Sequence, residues 1–272
     1  MSKSPNMLST VTPWDMVAEG YAETTMKLFR SYTERALEVT TISKEGAILD
    51  VACGPGTLSL LAADQVKSVH AIDFSESMIN MFKEAVKTEG LKNIEIHCCD
   101  GQALPFFDEM FDVAFSMFGL MFFPNRNKGY SEIYRTLKPG GKILISSWAP
   151  VSDSPAMQIM FGALKAMKPE FPEPQTNIES LENPEFFQAE LQNAGFKQVE
   201  IHPVSGEIPI SDVREFWGDM VKGSVPILMM KNSMSPEEWE EKERIALEFL
   251  HNKLPSLPTS LSARAWLGVG IK

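Results

Sequence analysis

Five short apolar runs alternate with helix-patterned stretches between residues 47 and 148, and no other feature of the chain restricts its fold so tightly. The runs cover residues 47–53, 68–74, 94–99, 111–118 and 142–148, and most end in glycine or an acid. Between them, residues 57–64, 77–89 and 127–137 repeat apolar side chains at helical spacing. Strands this apolar need cover on both faces, and a strand linked to the next through a helix runs parallel to it. The pattern therefore predicts an α/β chain, doubly wound, with helices on both faces of a parallel sheet.

Flanking segments extend this core. Residues 14–39 carry Trp14, Val17, Tyr21, Leu28, Tyr32, Ala36 and Leu37 at a spacing that predicts one long or broken amphipathic helix. A helix is expected at 184–194, stopped by Gly195, followed by strands at 198–204 and 263–271, which brings the sheet to seven strands. The stretch 211–254 is mostly helical in pattern, with a start signal at Ser235-Pro236-Glu237-Glu238. The expected organisation is an N-terminal helical cap over 1–45, an α/β core over 46–210, a helical lid insertion over 211–258, and the final core strand over 259–272.

Charge and cysteine usage exclude several classes. With 25 basic and 36 acidic residues the net charge is −11, which disfavours a nucleic-acid partner. Of the three cysteines, Cys98 and Cys99 are adjacent and none has the two-pair spacing of a zinc site, so no metal is expected and a reducing, cytoplasmic location is. The start of the chain lacks a secretory pattern, and the longest charge-free apolar stretch, near 113–123, falls short of the roughly 20 residues of a spanning helix.

The first strand runs into Asp50-Val51-Ala52-Cys53-Gly54-Pro55-Gly56 and then a helix. Glycines at such a turn let backbone N–H groups approach a ligand that a side chain would block. Asp73 closes the second strand 19 residues after Gly54, where a carboxylate can accept from a ribose diol. A dinucleotide fingerprint would place a third glycine or alanine where Ser59 stands, so a nicotinamide site is disfavoured. Asp100-Gly101-Gln102 follows the third strand at the same sheet edge, and an adenosine carrier without a bound pyrophosphate fits best.

The runs ILDVACGPGTLSL, AIDFSESMI, CDGQALPFFDEMFDVAFSMFGLMFFPN and EIYRTLKPGG resemble those of class I S-adenosylmethionine-dependent methyltransferases, with their Rossmann-like seven-strand sheet, in particular the ubiquinone and menaquinone biosynthesis branch. The resemblance is close over about 46–150 and looser beyond. It implies S-adenosyl-L-methionine as cofactor. On its pattern Asp50, Ala52, Cys53, Gly54 and Gly56 form the loop holding the methionine part, with Ala52 in place of a glycine. Asp73 would bind the ribose, Phe74 and Met78 would pack on ribose and adenine, and Asp100, Gly101 and Gln102 would read the adenine edge. Phe115 and Ser116 would lie beside the carboxylate and sulfonium, while residues 137–141 would form the turn into the fifth strand. Asn125 stands where relatives often carry an acid and is read as a surface variation.

A sulfonium methyl is already electrophilic, so such a site must mainly align a nucleophile for in-line displacement and exclude water. His70, His97, His202 and His251 are scattered and read as structural or surface residues, and no catalytic base is named. The 16 methionines cluster with phenylalanines, as suits a pocket for apolar molecules, although most belong to the core. Trp14, Tyr21 and Phe118 are the candidate acceptor contacts. The expected activity is methyl transfer to O, S or C of a small, largely apolar molecule. The alternatives are a thiol S-methyltransferase and a non-catalytic S-adenosylmethionine-binding regulator. A nucleic-acid methyltransferase is disfavoured because Ser116-Met117-Phe118-Gly119 replaces the Asn/Asp-Pro-Pro-Tyr/Phe signature.

Overall fold

The computed structural model describes residues 6–171 and 180–272; Pro5 and the rest of the first five residues of the expected cap lie outside the described residues. Seven strands, β1 (Ala47–Val51), β2 (Ser68–Asp73), β3 (Ile94–Cys98), β4 (Phe111–Ser116), β5 (Leu137–Trp148), β6 (Lys197–Ile210) and β7 (Thr259–Ile271), form one sheet in the order β3-β2-β1-β4-β5-β7-β6. The first five pair in parallel, as the helical crossovers require, whereas β7 is antiparallel to both its neighbours. The sheet is thus mixed. Its order reverses direction between β1 and β4, the place where an open α/β sheet leaves a crevice above its strand ends.

Alternation along the strands divides the core. Leu49, Val51, Ala114, Ile143 and Ile145 face one side, while Ile48, Val69, Val113, Phe115 and Leu144 face the other. Helices α2 (Met26–Thr40) and α3 (Thr57–Ala62) pack over the second side. α5 (Arg126–Thr136) and α7 (Pro184–Asn193) cover the first, and α4 (Glu76–Glu89) packs Ile79 and Phe82 on Cys53 and Ala71. Ser75 starts α4 by accepting from the Met78 N–H, and Gly90 ends it in the left-handed region at φ 69°.

Ahead of the sheet, α1 (Thr12–Gly20) continues into α2 through a π-helical turn, Tyr21–Thr25. The expected long helix is therefore continuous but re-phased at Tyr21. Residues 137–141, expected as a turn, belong to β5. Leu137 pairs with Phe111, and Gly140 and Gly141 exchange backbone bonds with Lys272. β6 and β7 are also longer than expected. Pro203, Gly206 and Pro209 look like breaks in the sequence, yet β6 is a sheet edge, where a missing proline N–H leaves no partner stranded. Gly206 is required there because a Cβ would stand 2.7 Å from the ring of Tyr32, whose hydroxyl donates to the Ala263 carbonyl at 2.7 Å.

One helix was not expected, α6 (Pro155–Met167). The insertion forms α8 (Val213–Gly223), α9 (Val225–Asn232) and α10 (Pro236–Lys253), the last opened by a reciprocal Ser235–Glu238 capping box. A separate apolar cluster holds α6, α8 and α10 together around Trp217, Trp239, Leu164 and Leu250. α8 and α9 also pack on α1, and a Cβ at Gly20 would sit 2.4 Å from the Lys222 carbonyl oxygen. The insertion and the N-terminal helix thus close over the same end of the sheet. Among the described residues, no helix is long and apolar enough to cross a membrane.

Candidate functional site

A cavity of about 250 Å³ opens above the carboxyl ends of β1, β2 and β4. The β1–α3 turn forms its floor. Ala52, Gly54 and Gly56 all have left-handed backbones, at φ 57°, 53° and 95°. This conformation is cheap for glycine but costs an alanine roughly 1–2 kcal/mol. Ala52 is held there by close packing, because its methyl lies only 2.4 Å from where a Cβ on Gly119 would stand. Gly119 is therefore bound to be glycine as long as Ala52 is alanine. Gly54 faces open space, with nothing within 4 Å of an added Cβ, whereas at Gly56 a Cβ would strike the Phe82 ring at 2.2 Å. The two glycines serve different ends: Gly54 opens to the cavity and Gly56 admits α4.

Three carboxylates surround this turn. Asp50 is buried on β1 and accepts from the Ser59 hydroxyl at 2.7 Å, and burial pushes its pKa up to about 7. Ser59, at the third-glycine position, is thus a partner for a buried acid. Asp73, at the tip of β2, accepts from the Gly54 N–H at 2.8 Å and the Ser75 N–H at 2.9 Å; burial raises its pKa too. Its carboxylate fixes the glycine turn against the start of α4. Asp15 of α1 accepts from the Ser75 hydroxyl at 2.6 Å and the Ser77 N–H at 3.2 Å, which joins the N-terminal helix to the rim.

The walls are apolar and aromatic. Ile72, Phe74 and Met78 line one side, Met117, Phe118 and Gly119 another, and Leu8, Ser9, Trp14 and Tyr21 form the roof with Phe122, Phe123 and Pro124. The Ser9 hydroxyl donates to the Phe122 carbonyl at 2.6 Å, and Trp14 lies 5.3 Å from the Phe122 ring, so the roof is tied to the loop after β4. Phe118, also left-handed at φ 56°, donates its N–H to the Ser146 hydroxyl at 2.8 Å, stacks on Phe29 and packs tilted against Trp148 with ring centroids 4.3 Å apart. Tyr21 is enclosed between Trp14 and Phe29, and burial, with Asp73 nearby, raises its phenol pKa. Asp100, Gly101 and Gln102 complete the cavity; the Gln102 amide donates to Asp100 and accepts from the Asn125 N–H at 3.1 Å.

Of the residues expected at a cofactor site, Ala52, Gly54, Phe74, Met78, Asp100, Gly101 and Gln102 line the cavity, as do Trp14, Tyr21 and Phe118. Cys53, Gly56, Asp73, Phe115 and Ser116 stand behind its wall. Phe115 is fully buried in the sheet core, and the Ser116 hydroxyl accepts the Leu120 N–H, so Met117 to Gly119 take the wall position expected of that pair. Cys53 is a buried thiol whose pKa is raised by desolvation. Asn125 proves to be the cap of α5, accepting from the Lys128 N–H, and it also positions Gln102. Leu8, Ser9 and Ile72 were not expected in the lining, and no sequence signal marked them; Phe122 and Phe123 belong to the Met/Phe cluster whose composition suits an apolar pocket.

Among the lining residues Asp100 is the one charged side chain and no lysine or arginine appears, while Asp50, Asp73 and Asp15 add acid just behind the wall. Such a cavity repels phosphates and favours a cation held over aromatic faces. The sheet order and this acidic glycine turn give the Rossmann-like architecture expected of a class I methyltransferase.

Comparison with known proteins agrees. A family described as a methyltransferase domain matches residues 48–141. The demethylmenaquinone methyltransferase of Listeria welshimeri is 33% identical over 120 residues, 43% of this chain and 51% of that protein. That of Bacteroides fragilis is 37% identical over 119 residues, 43% of this chain and 49% of that protein. The chain thus spans about half the length of the curated relatives it matches. Among solved structures, a Haemonchus contortus phosphoethanolamine N-methyltransferase 2 complex with S-adenosylhomocysteine superposes with a TM-score of 0.58 at 18% identity, covering 97% of this chain and 60% of that one. The [4+2]-cyclase SpnF shares the fold at TM-score 0.54 and 19% identity, covering 89% and 80%. Residues 48–141 thus match a methyltransferase domain, and over that part the chain is similar to demethylmenaquinone methyltransferases.

Proposed function

We propose that the protein transfers a methyl group from S-adenosyl-L-methionine to a small, largely apolar acceptor. The observation that carries this reading is the cavity's lining: aromatic walls, Asp100 as the one charged side chain and no basic residue suit a sulfonium and ammonium ligand and are unsuited to a pyrophosphate. The residues fit the cofactor. Gly54 leaves room at the turn, Phe74, Met78 and Ile72 offer an apolar slot, and Asp100 with Gln102 supplies polar atoms for a purine edge. Asp73 contributes by holding Gly54 and the start of α4 in place behind the cavity wall.

The cofactor, when bound, supplies an electrophilic methyl that needs no protein acid to leave its sulfur. The chain's own work is alignment and exclusion of water. Trp14, Tyr21 and Phe122 roof the cavity, while Phe118, braced by Phe29 and Trp148, gives a fixed aromatic surface against which a planar acceptor can lie. Tyr21 stays protonated at neutral pH because burial and Asp73 both oppose its charge, so it can donate a hydrogen bond but not serve as a ready base. This favours acceptors that ionise with little help, such as thiols, acidic phenols and quinol-type carbons. The relatives named for demethylmenaquinone methylation support the last of these.

Calorimetry with S-adenosylmethionine and S-adenosylhomocysteine tests the donor, and a labelled-methyl screen over quinols, phenols, thiols and amines tests the acceptor. Wild type should bind both nucleosides, Asp73→Ala should bind them more weakly, and Gly54→Val, which fills the floor, should not bind. Unimpaired binding by Gly54→Val, or no binding by wild type, sinks the donor assignment. Binding without turnover on any acceptor would favour a non-catalytic regulator or, as the cyclase neighbour illustrates for this fold, another reaction.

A further inference from the structure

The four histidines look dispersed in the sequence, but the sheet brings two of them together with an acid. β2 and β3 pair in parallel with His70 opposite Glu95, and His97 lies two residues further along β3, on the same face as Glu95. The His70 Nδ1 stands 3.3 Å from one Glu95 carboxylate oxygen and the His97 Nε2 stands 3.0 Å from the other. All three donor atoms lie within 4.8 Å of one another. None of these side chains lines the cavity described above, so the cluster is distinct from the methyltransferase site.

We propose that His70, Glu95 and His97 form a binding site for a divalent transition-metal ion of the zinc class. Separation is the first argument. Ligand bonds of about 2.0–2.1 Å at tetrahedral angles set neighbouring donor atoms about 3.3 Å apart; the His70 Nδ1 stands at that spacing from one Glu95 oxygen, the His97 Nε2 stands a little closer to the other, and one donor atom from each residue falls within 4.8 Å of the rest. Hydrogen bonding is the second. The His70 Nδ1 and the His97 Nε2 are both buried and neither makes a hydrogen bond, despite lying this close to the Glu95 carboxylate. Buried ring nitrogens rarely go without a partner, and nitrogens aimed at a shared point beside a carboxylate are what a metal ion satisfies. The surroundings are the third. The Phe106 ring packs edge-on against both imidazoles and Phe111 against His70, which fixes the rings, while Glu95 is 60% exposed and leaves an entry path and room for water ligands. Two imidazoles and one carboxylate match zinc and its neighbours and are a poor set for calcium or magnesium, which take oxygen donors.

The ion would clip the outermost strand, β3, to β2. β3 has sheet pairing on one side only, and it leads directly into Asp100–Gln102 of the cavity wall. The site would thus act as a staple for the edge that carries part of the candidate cofactor pocket. This assignment stands independently of the methyl-transfer reading.

The test uses the full chain, stripped with a chelator and titrated with Zn²⁺ against a chromogenic competitor, with Co²⁺ absorption as a second probe. The expected result is one saturable equivalent of Zn²⁺, a cobalt spectrum without thiolate bands, and a higher thermal midpoint with metal. Loss of a ligand in Glu95→Gln or His97→Ala should weaken binding by more than the about 10–100-fold cost of removing an outer-shell partner. Cys98→Ser, which removes the exposed thiol nearby, should leave binding unchanged. Glu95→Gln alters an exposed side chain and keeps its shape, so its fold, checked by circular dichroism, should persist even where a histidine variant fails to fold. Absence of saturable uptake, equal uptake by Glu95→Gln and wild type, or loss of uptake in Cys98→Ser each overturns the proposal.

Discussion

Replacing Asp50 with asparagine should stabilise the protein, and more so as pH rises. Asp50 is buried on β1 with the Ser59 hydroxyl as its hydrogen-bond donor, and desolvation lifts its pKa from an ordinary 3.8 to about 7. Between those values the folded chain retains a proton that the unfolded chain has released. Stability therefore falls as pH climbs from about 4 to about 7 and is level above that. At 1.36 kcal/mol per pKa unit the full penalty is on the order of 4 kcal/mol above pH 7 and about 1.7 kcal/mol at pH 5. The substituted amide keeps an oxygen for Ser59 and places an N–H where the protonated acid has its O–H, but never acquires the charge. The stability difference, Asp50→Asn minus wild type, should thus grow by about 2.5 kcal/mol from pH 5 to pH 8. Urea unfolding of both proteins in the absence of ligand at several pH values measures it, and subtraction cancels the other titrating groups. A difference that is constant with pH, or one that falls, would refute the claim that this carboxyl is buried at such cost.

Other expected outcomes concern the turn and the roof. Gly119→Ala should destabilise by about 1–3 kcal/mol through collision with the Ala52 methyl, and Ala52→Gly in the same chain should restore most of the loss; additive effects in the double-mutant cycle would contradict the contact. Gly56→Ala should cost about 2–4 kcal/mol, from overpacking on Phe82 plus a left-handed alanine, and calorimetric melting should show it. Asp15→Ala removes the acceptor for the Ser75 hydroxyl and Ser77 N–H, so hydrogen exchange in residues 12–20 should quicken at a stability loss of about 1–2 kcal/mol.

The sheet was readable in the sequence because its parallel strands are continuous apolar runs separated by helical patterns, and the last helix of the insertion has a clear start at Ser235. Turn chemistry misled twice. Lys138-Pro139-Gly140-Gly141 resembles a turn but is stitched to the chain's last residue, and β6, expected to end at 204, runs on through Gly206 and Pro209 because it lies at an edge. In the site, the aspartates at the strand tips and the glycines were visible, since their spacing repeats with the strands. Which side chains reach the cavity was not. That depends on whether a strand end presents Phe115 and Ser116 to the core, and on how far the loop after β4 swings back under Leu8 and Ser9. The His70, Glu95 and His97 cluster was hidden for a related reason: the spacing within β3 is local, but its partner across the ladder is fixed only by register.

The helical insertion leaves and re-enters the sheet at a single rung, because Ile210, the last residue of β6, pairs directly with Thr259, the first of β7. Whatever lies between those residues has its two ends already joined by the ladder and imposes no distance constraint on the rest of the molecule. A lineage could lengthen, shorten or exchange that cassette, which reaches the cavity only through its packing on α1, while the β1 glycine turn, several strands away, kept its shape.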